Sequence, residues 1–231
     1  MMLVHASIAE TGDAGWNGNA KAGDQTGKEV CTSLWYSKPW DIMLRYPDET
    51  IAAKAAAAAV KLANSNLVGY NQSQRNTLYS ALKKYNFNVE AYIKSGQKTE
   101  TDCSAFVYAV FACFIPKMRS NENAPVTSTM RSIYREWGFI VHTGSRYLFG
   151  IGLLNGDILV NESSHTAIAT DGEIGNTIPV NIIDLPICTP EVDNAITIIA
   201  RDVINGGWGN GNDRKEKLYV AIQTRVNELL K

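Results

Sequence analysis

The spacing of apolar positions along the chain predicts mainly helices in its first half and strands further on. The segment LVHASI at residues 3–8 is an exception, since it predicts a short strand followed by a Gly-rich loop. Ala-rich and amphipathic patterns predict helices over 51–63 and 73–84. The stretch 105–115 is apolar on every face until Pro116 ends it, so we expect a fully buried helix there.

Strand patterns dominate after one further helix, which the sequence predicts over 129–137. The sequences GFIVH at 138–142, GDILV at 156–160 and HTAIAT at 165–170 each predict a strand, and an Asp-Gly turn follows the last one. Helices and strands in separate runs are typical of an α+β fold. Two prolines and a threonine predict a linker near 186–193.

The C-terminal segment is expected to form a small unit of its own. Residues 194–231 predict two amphipathic helices around the loop GWGNG. A chain of 231 residues has room for one main core and a small appendage. We therefore predict a main domain over 1–188 and a small helical domain over 194–231.

Composition and charge exclude several classes of protein. Hydrophobic residues make up 45% and charged residues 19%, as in ordinary globular domains, and the net charge is −1. This charge offers no general attraction to nucleic acid or to an anionic membrane, so we expect neither partner. No segment resembles a signal peptide or a membrane span, which predicts a protein made in the cytoplasm without a signal peptide. Four scattered cysteines without a C-x-x-C pair argue against a zinc ribbon and a disulfide scaffold.

Cys103 carries the strongest chemical signal, because it follows a polar loop and begins the predicted buried helix. A helix N-terminus favours negative charge, so a thiolate at this place is a usable nucleophile near neutral pH. The nucleophile needs an imidazole beside it. His165, at the start of a strand, is better placed for this role than His5 or His142. The alternative is that Cys103 is a small core residue, as we expect for Cys113.

Three motifs in sequence order connect these residues with a known family. DCS at 102–104 precedes the apolar helix, GDILV at 156–160 forms a strand, and HTAIA at 165–169 forms the next strand. This order resembles the NlpC-type cysteine peptidases, which are papain-like cell-wall hydrolases. The resemblance implies a papain-like domain with a central antiparallel sheet, Cys103 as nucleophile at the start of a helix, His165 as its base, and no cofactor.

Two residues compete for the third catalytic position. In the family this residue is often a His in an I-H-A-S strand that follows the catalytic His strand. The string LVHAS at 3–7 is similar, which suggests a circularly permuted domain in which this strand pairs beside 165–170 and His5 orients His165. Counting forward through the Asp-Gly turn favours Asn176 instead. His5 is otherwise interpreted as a flexible N-terminal residue.

The resemblance also indicates where substrate binds. An Ala-rich helix ending in a Gly-Tyr pair precedes the cysteine in the family, and the stretch from Ala52 to Tyr70 is similar, although 33 residues separate Tyr70 from the cysteine. The acid before the cysteine grips the substrate's free amine in relatives, whereas Asp102 is equally suited to cap the helix. A loop at 23–28 and aromatic residues at 35–40 suit a groove for peptide or sugar, or else a core. The candidate substrate-binding residues are Asp102, Ser104, Tyr70, Asp24, Trp35 and Tyr36.

The tail resembles a second known module. The stretches 198–211 and 214–230 are similar to the three-helix wall-binding repeat of some phage lysozymes, with a shortened middle. The resemblance implies Trp208, Asn210 and Arg214 as contacts to a muropeptide. The W-G-N-G segment also suits a plain turn between helices.

Together these resemblances imply a phage-type peptidoglycan hydrolase whose partner is bacterial peptidoglycan and which reaches the wall after release by phage lysis. The bond expected to be cut follows a D-glutamyl or D-glutaminyl residue of the stem peptide, and an N-acetylmuramoyl-L-alanine amidase is the alternative. A non-catalytic wall-binding protein and an acyltransferase are the other classes. Three isolated histidines leave too few ligands for a zinc amidase. Asp157, Glu162 and Asp171 form no EF-hand pattern, so calcium dependence stays open.

Overall fold

The computed structural model describes residues 1–8, 21–23, 25, 29–36 and 38–170, with the backbone alone at 145 and 146. The chain divides into two units, Met1–Asn176 and Thr177–Lys231, and every described residue belongs to the first. The predicted Asp-Gly turn, the linker and the two C-terminal helices lie outside the described residues.

Strands and helices alternate irregularly along the described part. The strands are β1 (Met2–Ala6), β2 (Val30–Leu34), β3 (Ile42–Arg45), β4 (Val68–Tyr70), β5 (Thr99–Thr101), β6 (Ile140–His142), β7 (Ile158–Asn161) and β8 (His165–Thr170). The helices are α1 (Glu49–Asn64), α2 (Thr77–Lys84), α3 (Val89–Ser95), α4 (Cys103–Ala112), α5 (Thr127–Glu136) and α6 (Ser145–Leu148). Two 3-10 turns cover Gln72–Gln74 and Pro116–Ser120.

Six of the strands form one antiparallel sheet in the order β2-β1-β8-β7-β3-β6. β1 lies between β2 and β8, with Val4 opposite Thr32 on one side and Ile168 on the other. The predicted α+β class with a central antiparallel sheet is confirmed. The predicted pairing of the N-terminal strand with the strand at 165–170 is confirmed as well.

The two faces of the sheet carry two separate apolar clusters, because successive side chains of a strand point to opposite sides. Val4 and Ile168 belong to the larger cluster, which includes the buried residues of α1 and α4. Leu3 and Ala169 belong to the smaller one, together with Trp40. Every residue of α4 is buried, which confirms the helix predicted to be buried on all faces. The alternation also places His5 on the face of Leu3 and Trp40.

The hairpin of β7 and β8 packs closely against α1, and small residues make this approach possible. Asp48 caps α1, since its side chain accepts a hydrogen bond of 3.0 Å from the backbone N–H of Ile51. Gly156 precedes β7 with a φ of +88°, and a Cβ there would lie 2.3 Å from the carbonyl oxygen of Ala52. Glycine is therefore required at this position of the GDILV motif.

The predicted helices are confirmed with shifted ends, apart from one that is divided. The segment expected as a helix over 73–84 contains a 3-10 turn and then α2, and α4 begins two residues before the predicted start at 105. α3, α6 and the strands β2 to β5 were not predicted. Strands of three to five residues are too short to show a clear period of two.

Candidate active site

Cys103 is the first residue of α4, and the preceding Asp102 is the N-cap of this helix. The Asp102 Oδ1 atom accepts a hydrogen bond of 2.8 Å from the backbone N–H of Ala105, so the capping role predicted for Asp102 is confirmed. The Cys103 side chain is almost fully buried. The helix start therefore presents a thiol in surroundings from which water is largely excluded.

Arg75 holds the polar residues on both sides of Cys103. Its guanidinium donates to Asp102 Oδ2 at 2.5 Å and to Ser104 Oγ at 2.7 Å. It also donates to the carbonyl oxygens of Ala124 and Pro125, at 2.7 and 3.0 Å. No motif points to Arg75, because it lies in a polar stretch 28 residues before the cysteine. Whether Asp102 and Ser104 also bind substrate stays a prediction.

Burial dominates the protonation of Cys103. The pKa of the thiol is raised to about 11, mainly by burial and secondly by the negative charge of Asp102. The backbone N–H groups of Thr166 and Ser104 and the cation of Arg75 act in the opposite direction. The expectation of a thiolate stabilised near neutral pH is therefore reversed, since the loss of water outweighs the favourable field of the helix N-terminus.

His165 begins β8 and is fixed by the turn before it and by a stacked ring. The Asn161 side chain accepts from the backbone N–H of Ser163 at 3.1 Å and from Ser164 Oγ at 2.9 Å, and it donates to the carbonyl oxygen of Pro39. Trp40, next to Pro39, stacks on the His165 ring with 6.1 Å between ring centroids. Trp40 therefore packs against one face of this imidazole.

His5, His165 and Tyr36 form a compact triangle of polar atoms on the sheet face of Trp40. His5 Nδ1 lies 3.1 Å from His165 Nε2. The Tyr36 hydroxyl lies 3.0 Å from each of these two nitrogens. His5 is fully buried in β1, so it is no flexible terminal residue. Tyr36, predicted only as an aromatic residue of a groove, contacts both imidazoles directly.

Cys31 brings a second thiol to the histidine pair. It lies opposite His5 in the pairing of β1 with β2, and its Sγ atom is 3.4 Å from His5 Nε2. The cross-strand position explains the contact, because directly opposite residues of an antiparallel pair have neighbouring side chains. The sequence indicated no role for Cys31, since the contact joins two residues that are 26 positions apart.

The pKa of His165 lies well below the ordinary value of histidine. Burial is the main cause, and the neighbouring His5 and Lys38 add to it. Burial also raises the pKa of Tyr36, and the two thiols of Cys31 and Cys103 contribute to that increase. The imidazole and the phenol are therefore both uncharged near neutral pH.

The start of α4 lies beside β8, which brings Cys103 close to His165 in space. The backbone N–H near the thiol belongs to Thr166, which directly follows His165 in β8. Within residues 38–170, the structure has no hydrogen bond between the Cys103 thiol and the His165 ring. Cys103 on α4 and His165 on β8, the nucleophile and base predicted from sequence, are thus neighbours. The thiol makes no hydrogen bond to the imidazole ring.

Tyr70 is brought beside the cysteine by the parallel pairing of β4 with β5. Tyr70 lies opposite Thr101, two residues before Cys103, although α2 and α3 intervene in the sequence. Burial, followed by the charge of Cys103, raises the pKa of the Tyr70 phenol to about 12. The backbone N–H of Gly23 donates to the Tyr70 carbonyl at 3.0 Å, while its neighbour Asp24 lies outside the described residues.

The other candidate residues are less directly connected with this site. Trp35 is half-buried and its ring lies against Gly150, where a Cβ would come within 2.9 Å of it. His142 lies on β6, at the opposite edge of the sheet from β2, with its ring 5.0 Å from Tyr147. Asn176, Trp208, Asn210 and Arg214 lie outside the described residues.

Two of the acidic residues considered for calcium are engaged in ion pairs. Asp157 accepts hydrogen bonds from Arg45 and Glu162 from Arg131, at 2.8 and 2.9 Å for the Nε donors. Asp171 lies outside the described residues. In the part of the chain that is described, no group of three or more His, Cys, Asp or Glu side chains is placed to hold a metal ion. No helix of that same part has the length and apolar character needed to cross a membrane.

Comparison with known families gave two matches. A family model described as an endolysin-like domain matches residues 3–175, which is most of the chain. A second model, described as the CW_7 repeat, matches residues 198–230. Comparisons with curated proteins and with solved structures found no significant match.

Proposed function

The chain belongs to the endolysin-like domain family, and from this premise we propose that it is a peptidoglycan hydrolase that cuts an amide bond with Cys103 as nucleophile. The endolysin-like domain and the cell-wall repeat together support a phage cell-wall hydrolase or binding protein. The catalytic reading is favoured by one arrangement above all, the buried pair of His5 and His165 beside the start of α4. A protein that only binds walls has no need of such a pair next to a helix-start thiol.

The protonation states suggest a general-base mechanism. With the thiol pKa near 11 and the imidazole pKa lowered, both groups are neutral before substrate arrives. His165 Nε2 is engaged by His5 and Tyr36, which leaves Nδ1 for the proton of Cys103. As Sγ attacks the carbonyl carbon, the thiol proton moves to His165, and the backbone N–H of Cys103 stabilises the oxyanion.

The remaining steps return every group to its starting state. His165 gives its proton to the departing amine, and the C–N bond breaks to leave a thioester on Cys103. Water then attacks this thioester and transfers a proton to His165. The acid product leaves, and the proton returns from His165 to the Cys103 sulfur. His5 and Tyr36 hold the ring during both transfers.

We further propose that the domain is a circularly permuted relative of the NlpC-type peptidases, with a papain-like arrangement. The strand that carries His5 comes first in the sequence yet lies directly beside β8, where the relatives place their third catalytic residue after the catalytic His strand. The 3.1 Å contact of His5 with His165 Nε2 supports His5 in preference to Asn176. The permutation itself can be tested by a comparison of strand order with an experimental structure of such a relative.

The proposed bond lies in the stem peptide, after a D-glutamyl or D-glutaminyl residue, and the N-acetylmuramoyl-L-alanine amide bond is the alternative. The charge of Cys103 raises the pKa of both Tyr36 and Tyr70, so both phenols lie near the thiol. They are therefore the strongest candidates for substrate contact. Asp102 remains a candidate for the substrate's amine, with its carboxylate already held by Arg75.

The repeat at residues 198–230 is proposed to hold the enzyme on peptidoglycan, through Trp208, Asn210 and Arg214. The corresponding division is a catalytic domain over 1–188 and a wall-binding domain over 194–231. No cofactor is proposed. The enzyme would act on the wall after phage lysis.

Digestion of purified sacculi tests the proposal. Wild type, Cys103→Ala and the matched variant Cys113→Ser are compared, because Cys113 is a buried thiol directly after α4 that donates to the Ala109 carbonyl in the core. We expect wild type and Cys113→Ser to clear the walls and Cys103→Ala to leave them intact. New N-termini in the soluble fragments then distinguish the endopeptidase from the amidase. If none of the three clears walls and all bind them, the protein is a wall-binding protein.

A further inference from the structure

The thiol of Cys31 lies next to Nε2 of His5, the ring nitrogen that does not face His165. His5 Nδ1 faces His165 Nε2, and His5 Nε2 faces Cys31 Sγ at 3.4 Å. We propose that Cys31 is a positioning residue, which accepts a hydrogen bond from His5 Nε2–H and so keeps His5 Nδ1 unprotonated toward His165. The effect of Cys31 on the reaction rests on the proposed function. The contact between Cys31 and His5 does not depend on that function.

The position of one proton on His5 decides whether His5 helps or opposes His165. A neutral imidazole has one nitrogen that donates and one that accepts. If the proton is on Nε2, then Nδ1 accepts the N–H of His165 across 3.1 Å. If the proton is on Nδ1, it faces the Nε2–H of His165 across the same distance, because His165 carries its own proton on Nε2 while Nδ1 is bare for the proton of Cys103.

Burial makes this choice depend on protein partners. His5 is fully buried, so bulk water cannot replace a missing acceptor. Tyr36 lies on the Nδ1 side, where its hydroxyl serves as donor to His5 or as acceptor from His165. It therefore fits either position of the proton and fixes neither. The Cys31 thiol faces the Nε2 side of His5. In the proposed reaction His165 keeps Nδ1 bare for the proton of Cys103 and carries its own proton on Nε2, so His5 Nδ1 has to accept. The proton of His5 then lies on Nε2, where the Cys31 sulfur accepts it.

The consequence for the reaction appears when His165 takes the proton of Cys103. His165 then carries N–H groups on both ring nitrogens, and its Nε2–H needs an acceptor in a buried place. The unprotonated His5 Nδ1 supplies it. Cys31 thus stabilises the protonated His165 through His5, without contact to the substrate.

Nitrogen NMR of the full chain with 15N-labelled histidine tests the proton position directly. The chain has three histidines, so His142→Gln assigns the spectrum by removing the one outside the pair. We expect wild-type His5 to be protonated at Nε2 and bare at Nδ1. Cys31→Ser keeps an acceptor and should keep this form. Cys31→Val fills the strand position without an acceptor and should move part of the His5 population to Nδ1–H.

Activity on sacculi provides the second readout. We expect kcat to fall about tenfold in Cys31→Val and to be restored in Cys31→Ser, with KM unchanged in both, since a general base loses part of its support. Cys113→Ser is the thiol control and should leave the histidine spectrum unchanged. Wild-type His5 protonated at Nδ1, or a Cys31→Val spectrum identical to that of wild type, overturns the inference. If the spectra behave as expected but wild type digests no walls, the hydrogen bond stands and the proposed hydrolase function fails.

Discussion

Cys103 and His165 lie in surroundings that exclude water, and burial shifts their pKa values in opposite directions. The thiol pKa rises to about 11, while that of the imidazole falls below its ordinary value of 6.5. Both shifts favour the uncharged form. The proposed mechanism therefore moves the proton of Cys103 to His165 during attack and requires no preformed thiolate.

The lowered pKa of His165 predicts a pH dependence of stability. Between the folded pKa and 6.5, the unfolded chain binds a proton that the folded protein does not, so the free energy of unfolding falls as pH decreases below about 6.5. The contribution is at most about 1.4 kcal/mol per pH unit. Urea denaturation from pH 8 to 5 should show this slope in wild type and a smaller slope in His165→Gln. The control His142→Gln should retain it. Equal slopes in all three proteins would contradict the assignment.

At the scale of elements, α1 and α4 both begin with an aspartate N-cap, but the two caps lie in different surroundings. Asp48 caps α1 at the surface, and Asp102 caps α4 in the interior. Only Asp102 is also paired with a half-buried cation, Arg75. The two caps therefore separate the contribution of capping from that of the ion pair.

Alanine at these two caps should destabilise the protein to different degrees. Asp48→Ala removes a surface cap and should lower the free energy of unfolding by about 1 kcal/mol. Asp102→Ala also leaves Arg75 without its carboxylate, and we expect a loss of about 3–5 kcal/mol. Chemical denaturation of both variants measures the difference. Similar losses in both would mean that the Arg75 ion pair adds nothing to the cap.

The sequence allowed the long elements and the residues with a distinctive chemical type to be predicted. The all-apolar helix α4 and the alternating strand β8 have clear patterns, and Cys103, His165 and His5 follow from motifs. The short strands β4 and β5 have no such pattern, because their stability comes from parallel pairing with each other. Arg75 and Cys31 were missed for a related reason: only the three-dimensional pairing brings them next to the residues they support.

At the scale of the whole molecule, the two family matches predict that the C-terminal repeat affects wall binding without affecting hydrolysis of soluble fragments. Trp208→Ala should weaken binding to intact sacculi by about thirtyfold, the effect of losing about 2 kcal/mol from an aromatic contact. Pelleting with sacculi measures it. Hydrolysis of intact walls should fall at least tenfold more than hydrolysis of soluble wall fragments. Cys103→Ala is the opposite control, because it should bind walls and cut neither substrate. An equal loss on both substrates would place Trp208 in the function of the catalytic unit instead.

The place of β1 between β2 and β8 has a consequence for the time at which the two histidines come together. His5 and His165 meet across 160 positions of sequence, and β8 has to add beside β1 before they do. During synthesis, a ribosome therefore carries a chain that already contains His5 and Cys103 but in which His5 has not yet met His165. Closure of so long a loop is slow compared with local helix formation. Translation of β8 thus acts as the step that first allows His5 and His165 to meet.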